Sequence, residues 1–468
     1  MPYDVKSMSA GEFISHEEIL ATIEWAKENK NNQALIEQVM TKARRKKGLD
    51  HREASLLLTG GDEDKLFDLA REIRDEFYGR RVVLFAPLYL SNYCVNGCVY
   101  CPYNASNEVT CRKKLSQDEI RRQVIALQDM GHKRLAIEAG EHPTHSPIEY
   151  ILESIKTIYG VQHKNGAIRR VNVNVAAATV AEYEKLRDAN IGTYILFQET
   201  YHRAAYEKLH PTGPKSNYDW HTEAMDRAMQ AGLEDVGIGA LFGLADYKYE
   251  LAALLMHAEH LEAVYGVGPH TISLPRIREA EGIDTERFGG IDNKTFAKIV
   301  AVTRISAPYT GIIISTREDE PCRKMALDVG ATQISGGSST SVGGYNSSEE
   351  RSSTEQFEIS DKRSLGQVVD WLIDIGYIPS FCTACYREGR VGERFMTLCK
   401  SGNIQNCCHP NALMTLQEYL IDYAGENARI AGEKLINAEL GNIPSDKMRD
   451  IVAQRLEKIK SGSRDFRV

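Results

Sequence analysis

The sequence predicts an α/β protein built on a closed (β/α)8 TIM-type barrel, with a helical extension before it and a mostly helical, cysteine-bearing region after it. Three observations predict this. The first eighty residues are rich in Glu, Lys, Ala and Leu; eight short β-branched or apolar runs follow from Arg81 onward; and the stretches between those runs are long enough for helices. Such alternation favours a parallel sheet, and eight units favour closure over an open, doubly wound sheet. At 468 residues the chain exceeds the roughly 250 of one barrel, which leaves room for both appendages.

Residues 1–80 form the helical preface, where Ser15-His16-Glu17-Glu18 precedes Ile19-Leu20-Ala21-Thr22-Ile23 in a capping-box pattern. Residues 81–344 carry the barrel. Its strands are expected at Val82–Phe85, Leu135–Ile137, Val171–Val175, Tyr194–Phe197, Val236–Leu241, Thr271–Leu274, Gly311–Ile314 and Thr332–Ser335. Helices are expected between them at Asp118–Met130, Pro147–Tyr159, Val180–Ala189, Tyr218–Ala231, Tyr247–Tyr265 and Lys294–Ile305. Glycine and serine then replace the periodic pattern over Ser335–Gly344, which predicts a mobile loop, an interdomain linker, or both. Residues 345–468 form the third region, helical from Ser364 to Phe381, then cysteine-rich, then closing in charged helices.

Composition excludes several classes. No apolar run approaches the roughly 18 residues that span a bilayer, which argues against a membrane protein. Fifty-seven basic against 65 acidic residues give a net charge of −8, which opposes non-specific binding to nucleic acid or an anionic membrane. Met1-Pro2-Tyr3-Asp4-Val5-Lys6 leads into polar residues without a hydrophobic signal core, so the expected location is cytoplasmic. In that reducing compartment the ten cysteines are expected as metal ligands, reactive thiols or core residues before disulfides.

The first strand runs into Cys94-Val95-Asn96-Gly97-Cys98-Val99-Tyr100-Cys101. Three thiolates within eight residues can converge on one face of a short loop, with Gly97 helping it curl around a compact inorganic object. An iron–sulfur cluster fits; a structural zinc would want a fourth ligand, and only Cys111 lies near. The motif resembles the Cx3CxφC of the radical S-adenosylmethionine (SAM) enzymes. The resemblance implies that three cysteines leave one iron of a 4Fe-4S cluster open to SAM, that Tyr100 lies near adenine, and that reduction yields a 5′-deoxyadenosyl radical. Glu138-Ala139-Gly140-Glu141 resembles the family's GGE motif, with Ala139 in place of its first glycine, and implies Gly140 and Glu141 as SAM-binding residues.

Phe197-Gln198-Glu199-Thr200-Tyr201-His202 and Ile314-Ser315-Thr316-Arg317-Glu318 resemble the aromatic amino-acid lyases of that group. By this resemblance Arg317 grips the substrate carboxylate with its planar fork, and Tyr89 and Ser335 line the same pocket. The residues alone leave Arg317 open to a surface ion pair with Glu318, and Tyr89 open to a core role.

A second set, Cys382-x2-Cys385-x22-Cys408, could hold another iron–sulfur cluster, or zinc together with Cys407 and His409. Cys407 could replace Cys408 by a one-residue shift. Cys111, Cys322 and Cys399 are expected as core or surface residues. The spacing resembles the branch of the tyrosine lyases that matures FeFe hydrogenase, and not the branch that serves thiamine synthesis. That resemblance implies cleavage of L-tyrosine to p-cresol and dehydroglycine (2-iminoacetate) at the first cluster. At the second 4Fe-4S cluster it implies carbon monoxide and cyanide on an additional iron. Imidazole suits that iron, and His270, which opens the sixth strand, is the expected ligand; His257 and His260, expected on a partly solvated helix face, compete. Implied partners are other hydrogenase maturation proteins and a reductant such as ferredoxin or flavodoxin. Rival readings are a lyase feeding thiazole synthesis and an iron–sulfur scaffold that binds SAM without turnover.

Overall fold

The computed structural model describes residues 2–346 and 354–468; Met1 and residues 347–353, which begin just past the expected boundary at 344/345, lie outside the described residues. Eight parallel strands close on themselves: β1 (Arg81–Ser91), β2 (Arg134–Ala139), β3 (Arg170–Asn174), β4 (Tyr194–Glu199), β5 (Val236–Ala240), β6 (Thr271–Ser273), β7 (Gly311–Ile314) and β8 (Gln333–Ser335). Each pairs with the next in chain order, and β8 returns to β1 through Val83↔Gln333 and Phe85↔Ser335. Every expected strand is present.

Period-two alternation decides which side chains reach the interior. Along β1, Leu84, Ala86, Leu88 and Leu90 are buried against the outer helices, while Phe85, Pro87 and Tyr89 face the cavity at the barrel mouth. Adjacent strands continue the row: Tyr89 pairs in register with Glu138 of β2, and Glu138 with Asn174 of β3.

Five helices, from Ala10–Phe13 to Glu63–Tyr78, form the preface. Ser15 caps the second of them by accepting from the Glu18 N–H. The expected helix Tyr218–Ala231 is broken at Glu223 into Tyr218–Thr222 and Ala224–Gln230. The expectation of helix from Ser364 to Phe381 needs a larger correction. Leu365–Asp374 is helical and begins with a capping box on Ser364, but Gly376 at φ 76° reverses the chain, and Ile378–Ser380 forms β9. This strand pairs in parallel with Arg81–Val83, on the edge of β1 that β2 occupies further along. The five residues Tyr377–Phe381, between Gly376 and Cys382, carry too little periodicity to separate strand from helix.

The Gly/Ser segment after β8 packs over the barrel mouth: Gly336 N donates to Phe85 O, and the Tyr345 hydroxyl donates to Pro87 O at 2.7 Å. Among the described residues no helix is long and apolar enough to cross a membrane.

Candidate active site and metal centres

A cavity of about 230 Å³ opens at the C-terminal ends of the strands, and Cys94, Cys98, Cys101, Tyr100, Gly140, Glu141, Tyr89, Arg317 and Ser335 all line it. The loop after β1 brings the three thiols there. Its close approach to β2 requires Gly140, because a Cβ at that position would stand 2.4 Å from Tyr93 O and 3.1 Å from Cys94 Cβ. Gly97 acts differently from its expected part in a curl: its φ is ordinary for any residue, and a Cβ there would stand 2.3 Å from Thr212 Oγ1, so it makes room for the 211–213 turn.

Burial and mutual proximity push the Cys98 thiol up to about 12 and raise Cys101 further. Thiols held this way become thiolates only with a cationic partner, which is what the irons of a cluster supply, and soft sulfur donors suit that metal. Among the described residues no three His, Cys, Asp or Glu side chains close around a single metal ion. A four-iron cluster spaces its thiolates more widely than one ion does.

Around the thiols, Asn96, Lys215 and His210 take parts that no spacing in the sequence revealed. Asn96 Nδ2 donates to Glu141 Oε2 at 2.6 Å, while burial raises the Glu141 carboxyl above its usual range. Lys215 Nζ pairs with Glu199 Oε1 at 2.9 Å. Glu199 ends β4 at φ 67°, a left-handed conformation that is uncommon outside glycine and recurs at functional sites. Tyr100 donates its hydroxyl to His210 Nε2 at 2.8 Å, since His210 Nδ1 is spent on Tyr206 O. Burial and then Lys215 push His210 down to about 3, so the ring is neutral. Lys215 follows Pro211-Thr212-Gly213-Pro214, a turn without periodicity, so its placement was illegible.

At the other side of the cavity the Arg317 guanidinium lies 3.5 Å from the centre of the Phe357 ring and, among the described residues, forms no ion pair. Glu318 points away and binds Arg276 and Arg278, so the surface pair between sequence neighbours does not form. Tyr89 donates to Gln356 Oε1 at 2.9 Å, and Ser335 Oγ accepts from Thr316 N at 3.2 Å. Glu138, also in this wall, is pushed up to about 8 by burial, against a hydrogen bond from Asn174.

Cys382, Cys385 and Cys408 meet at the opposite, N-terminal end of the barrel. Cys382 follows β9 and Cys385 lies in the turn Ala384–Arg387, while Cys408 sits in the first turn of helix Gln405–Asp422. The Cys385 thiol donates to Cys408, and that bond, helped by Arg81 and Arg390, holds Cys408 below the ordinary thiol range. Cys407 makes no such contact, because consecutive helical residues point about 100° apart. Arg134 donates to Cys382 O at 3.0 Å.

His270 lies just before β6 at the same end, its ring 4.7 Å from that of Phe395 and its Nε2 3.2 Å from the Tyr386 hydroxyl. His257 and His260 are buried instead of partly solvated. The preface covers them: His260 stacks on Phe13 at 3.9 Å, its Nδ1 donates to Val5 O, and its Nε2 faces Asp226 at 2.9 Å, while His257 meets the Tyr201 hydroxyl. Cys111 is exposed, and Cys322 and Cys399 are buried.

Comparison with known proteins follows the same lines. Residues 88–254 match the radical SAM superfamily, and residues 273–378 match the biotin and thiamin synthesis associated domain. The chain is 29% identical over 332 residues to the 2-iminoacetate synthase of Escherichia coli, covering 71% of this chain and 85% of that protein. A crystal structure of HydG, a maturase of the [FeFe]-hydrogenase, shares 51% identity with a TM-score of 0.94, over 97% of this chain and all of that one. HydG from Carboxydothermus hydrogenoformans shares 36% identity with a TM-score of 0.83, over 96% of this chain and 99% of its own. A radical SAM barrel with three-cysteine sets at both ends, matched over its length at this identity, belongs to the HydG family of [FeFe]-hydrogenase maturases.

Proposed function

We propose that this chain cleaves L-tyrosine between Cα and Cβ, giving p-cresol and dehydroglycine (2-iminoacetate), and carries the fragment on to carbon monoxide and cyanide bound on iron for assembly of the [FeFe]-hydrogenase H-cluster. What supports the reading above all is the pairing of two three-cysteine sets in one barrel that a HydG structure matches over 97% of the chain.

When bound at Cys94, Cys98 and Cys101, a 4Fe-4S cluster supplies the electron that splits SAM. The chain's own residues orient and protect. Glu141, steadied by Asn96, accepts from the methionine ammonium, and Lys215 offers a cation to the methionine carboxylate. Tyr100, fixed by a neutral His210, flanks the adenine. Arg317 holds the tyrosine carboxylate with two parallel N–H donors, and Tyr89 and Ser335 shape the same wall. A cavity enclosed by the barrel keeps out water and solutes that would quench a radical.

At the opposite end Cys382, Cys385 and Cys408 would hold a second 4Fe-4S cluster and His270 an additional iron. Among the described residues, buried polar atoms at this end without a hydrogen bond, such as Asp235 Oδ2, Arg134 Nε and Arg390 Nε, support the fit of a further group. The working partners are L-tyrosine, other hydrogenase maturation proteins, and a reductant such as ferredoxin or flavodoxin, in the cytoplasm. A net charge of −8 disfavours non-specific binding to nucleic acid or an anionic membrane. We divide the chain at 1–80, 81–344 and 345–468.

Iron and sulfide counting on anaerobically purified protein, followed by assays for 5′-deoxyadenosine, p-cresol, carbon monoxide and cyanide, tests the proposal. About eight or more irons with all four products is the expected result. The likeness to the E. coli 2-iminoacetate synthase supports a second reading, a lyase for thiazole synthesis; p-cresol without carbon monoxide or cyanide selects it. No 5′-deoxyadenosine at all would leave a SAM-binding scaffold.

A further inference from the structure

We infer that Glu138 is the group that selects the α-ammonium of the substrate and takes its proton, while Arg317 of the same cavity holds the carboxylate. The inference rests on the tyrosine-lyase reading above.

Register comes first. Tyr89, Glu138 and Asn174 stand side by side on β1, β2 and β3, so the carboxylate occupies the same level of the wall as a proposed substrate-lining tyrosine. Both Glu138 and Arg317 line the cavity. Each lies within electrostatic reach of the other and of Tyr89, yet among the described residues neither forms an ion pair. An acid that served only the core would be expected to have its lone pairs satisfied or a cation in contact, since an unpaired carboxylate is costly to bury. Glu138 has a hydrogen bond from Asn174, and the charged groups that influence it are Arg317 and Glu199, from the loop after β7 and the end of β4. A guanidinium and a carboxylate that face one cavity without touching leave a gap with the polarity of an amino-acid zwitterion.

Hydrogen bookkeeping gives the carboxylate its task. The ammonium nitrogen of tyrosine carries three hydrogens, and the imine nitrogen of dehydroglycine carries one. A single adenosyl radical removes one hydrogen atom, so at least one hydrogen leaves nitrogen as a proton. The transfer balances as R–NH3+ plus Glu138–COO− giving R–NH2 plus Glu138–COOH. The raised affinity of Glu138 for a proton, near pH 8, makes it a competent acceptor from an ammonium.

The test compares wild type, Glu138→Gln and Glu138→Asp as reconstituted full-length protein. Equilibrium binding is measured for tyrosine and for 3-(4-hydroxyphenyl)propionate, which lacks only the amino group, and p-cresol formation is followed against pH. Glutamine keeps the shape and the Asn174 partner. The expected result is loss of about 10-fold or more in the preference for tyrosine over the deaminated analogue, the lower range for a charge-assisted hydrogen bond. The p-cresol rate should rise with pH in wild type as Glu138 ionises and lose that limb in Glu138→Gln, with partial recovery in Glu138→Asp. Unchanged preference with an unchanged pH profile would overturn the inference. If wild type makes no p-cresol, the lyase reading fails, while the binding comparison still decides what Glu138 recognises.

Discussion

The hydroxyl of Tyr386 sits 3.2 Å from His270 Nε2, joining the residue next to Cys385 to the floor of the barrel. The same hydroxyl reaches Thr193 Oγ1 at 2.9 Å, and Arg170 lies 3.8 Å above the ring. One aromatic side chain therefore spans the seam between the barrel and the second cysteine set.

Separation of the two ends predicts separable losses. Cys385→Ala should leave p-cresol formation largely intact and sharply lower carbon monoxide and cyanide. His270→Ala should do the same more mildly, since it removes one ligand and leaves the sulfur-bound cluster standing. Product analysis by mass spectrometry and infrared spectroscopy checks this; a parallel fall of p-cresol and iron-bound products would make the C-terminal region merely structural.

At the barrel mouth, Cys94→Ala, Cys98→Ala or Cys101→Ala should each abolish both SAM cleavage and p-cresol. Normal p-cresol from any one of them removes that cysteine from the set.

Gly140→Ala should act on the same site through sterics alone. Its Cβ would press on the Tyr93 backbone, so about 1–3 kcal/mol of overpacking falls on the loop that carries Cys94. Iron content after reconstitution and the thermal midpoint should both fall, and a variant with full iron loading would show that the loop can yield.

Arg317→Lys keeps the charge and loses the fork. With no protein ion pair to reorganise among the described residues, the expected effect is on substrate: tyrosine KM should rise about 10-fold or more. An unaltered KM would dissociate Arg317 from the substrate carboxylate.

The amino-terminal segment supplies a pH-dependent contact. His51 is buried, which disfavours its charge, but Nδ1 faces Glu259 at 2.9 Å and Nε2 faces Glu18 at 3.3 Å, and these carboxylates hold its pKa above the ordinary value. A raised folded-state pKa stabilises fully below the unfolded value, about 6.5, and the contribution is lost as pH rises through the folded value. Wild type should show steeper loss of thermal stability with rising pH over that window than His51→Gln; identical slopes would disprove the linkage.

Much of this molecule was legible because its signals are local. Eight apolar runs alternating with helical stretches expose a barrel, and Cys94, Cys98 and Cys101 announce their chemistry within eight residues. What escaped depends on contacts distant in sequence. Lys215 reaches Glu199 from an aperiodic turn, and the burial of His257 and His260 depends on Phe13 and Val5, more than 240 residues earlier. Glu138 was visible as an acid ending an apolar strand, but its level beside Tyr89, 49 residues earlier, emerges only from the register of two strands. Ile378–Ser380 was missed because three residues cannot declare a period.

That short strand decides how the protein can be divided. The first residues of β1 take their hydrogen bonds from β9, and its later residues, which lead to Cys94, take theirs from β2. Cutting away the C-terminal region would strip one edge of the opening strand and leave unpaired backbone at the base of the barrel, a template for aggregation. The barrel and the second cysteine set thus share a sheet edge, and a truncation meant to isolate the lyase should keep the chain through Ser380.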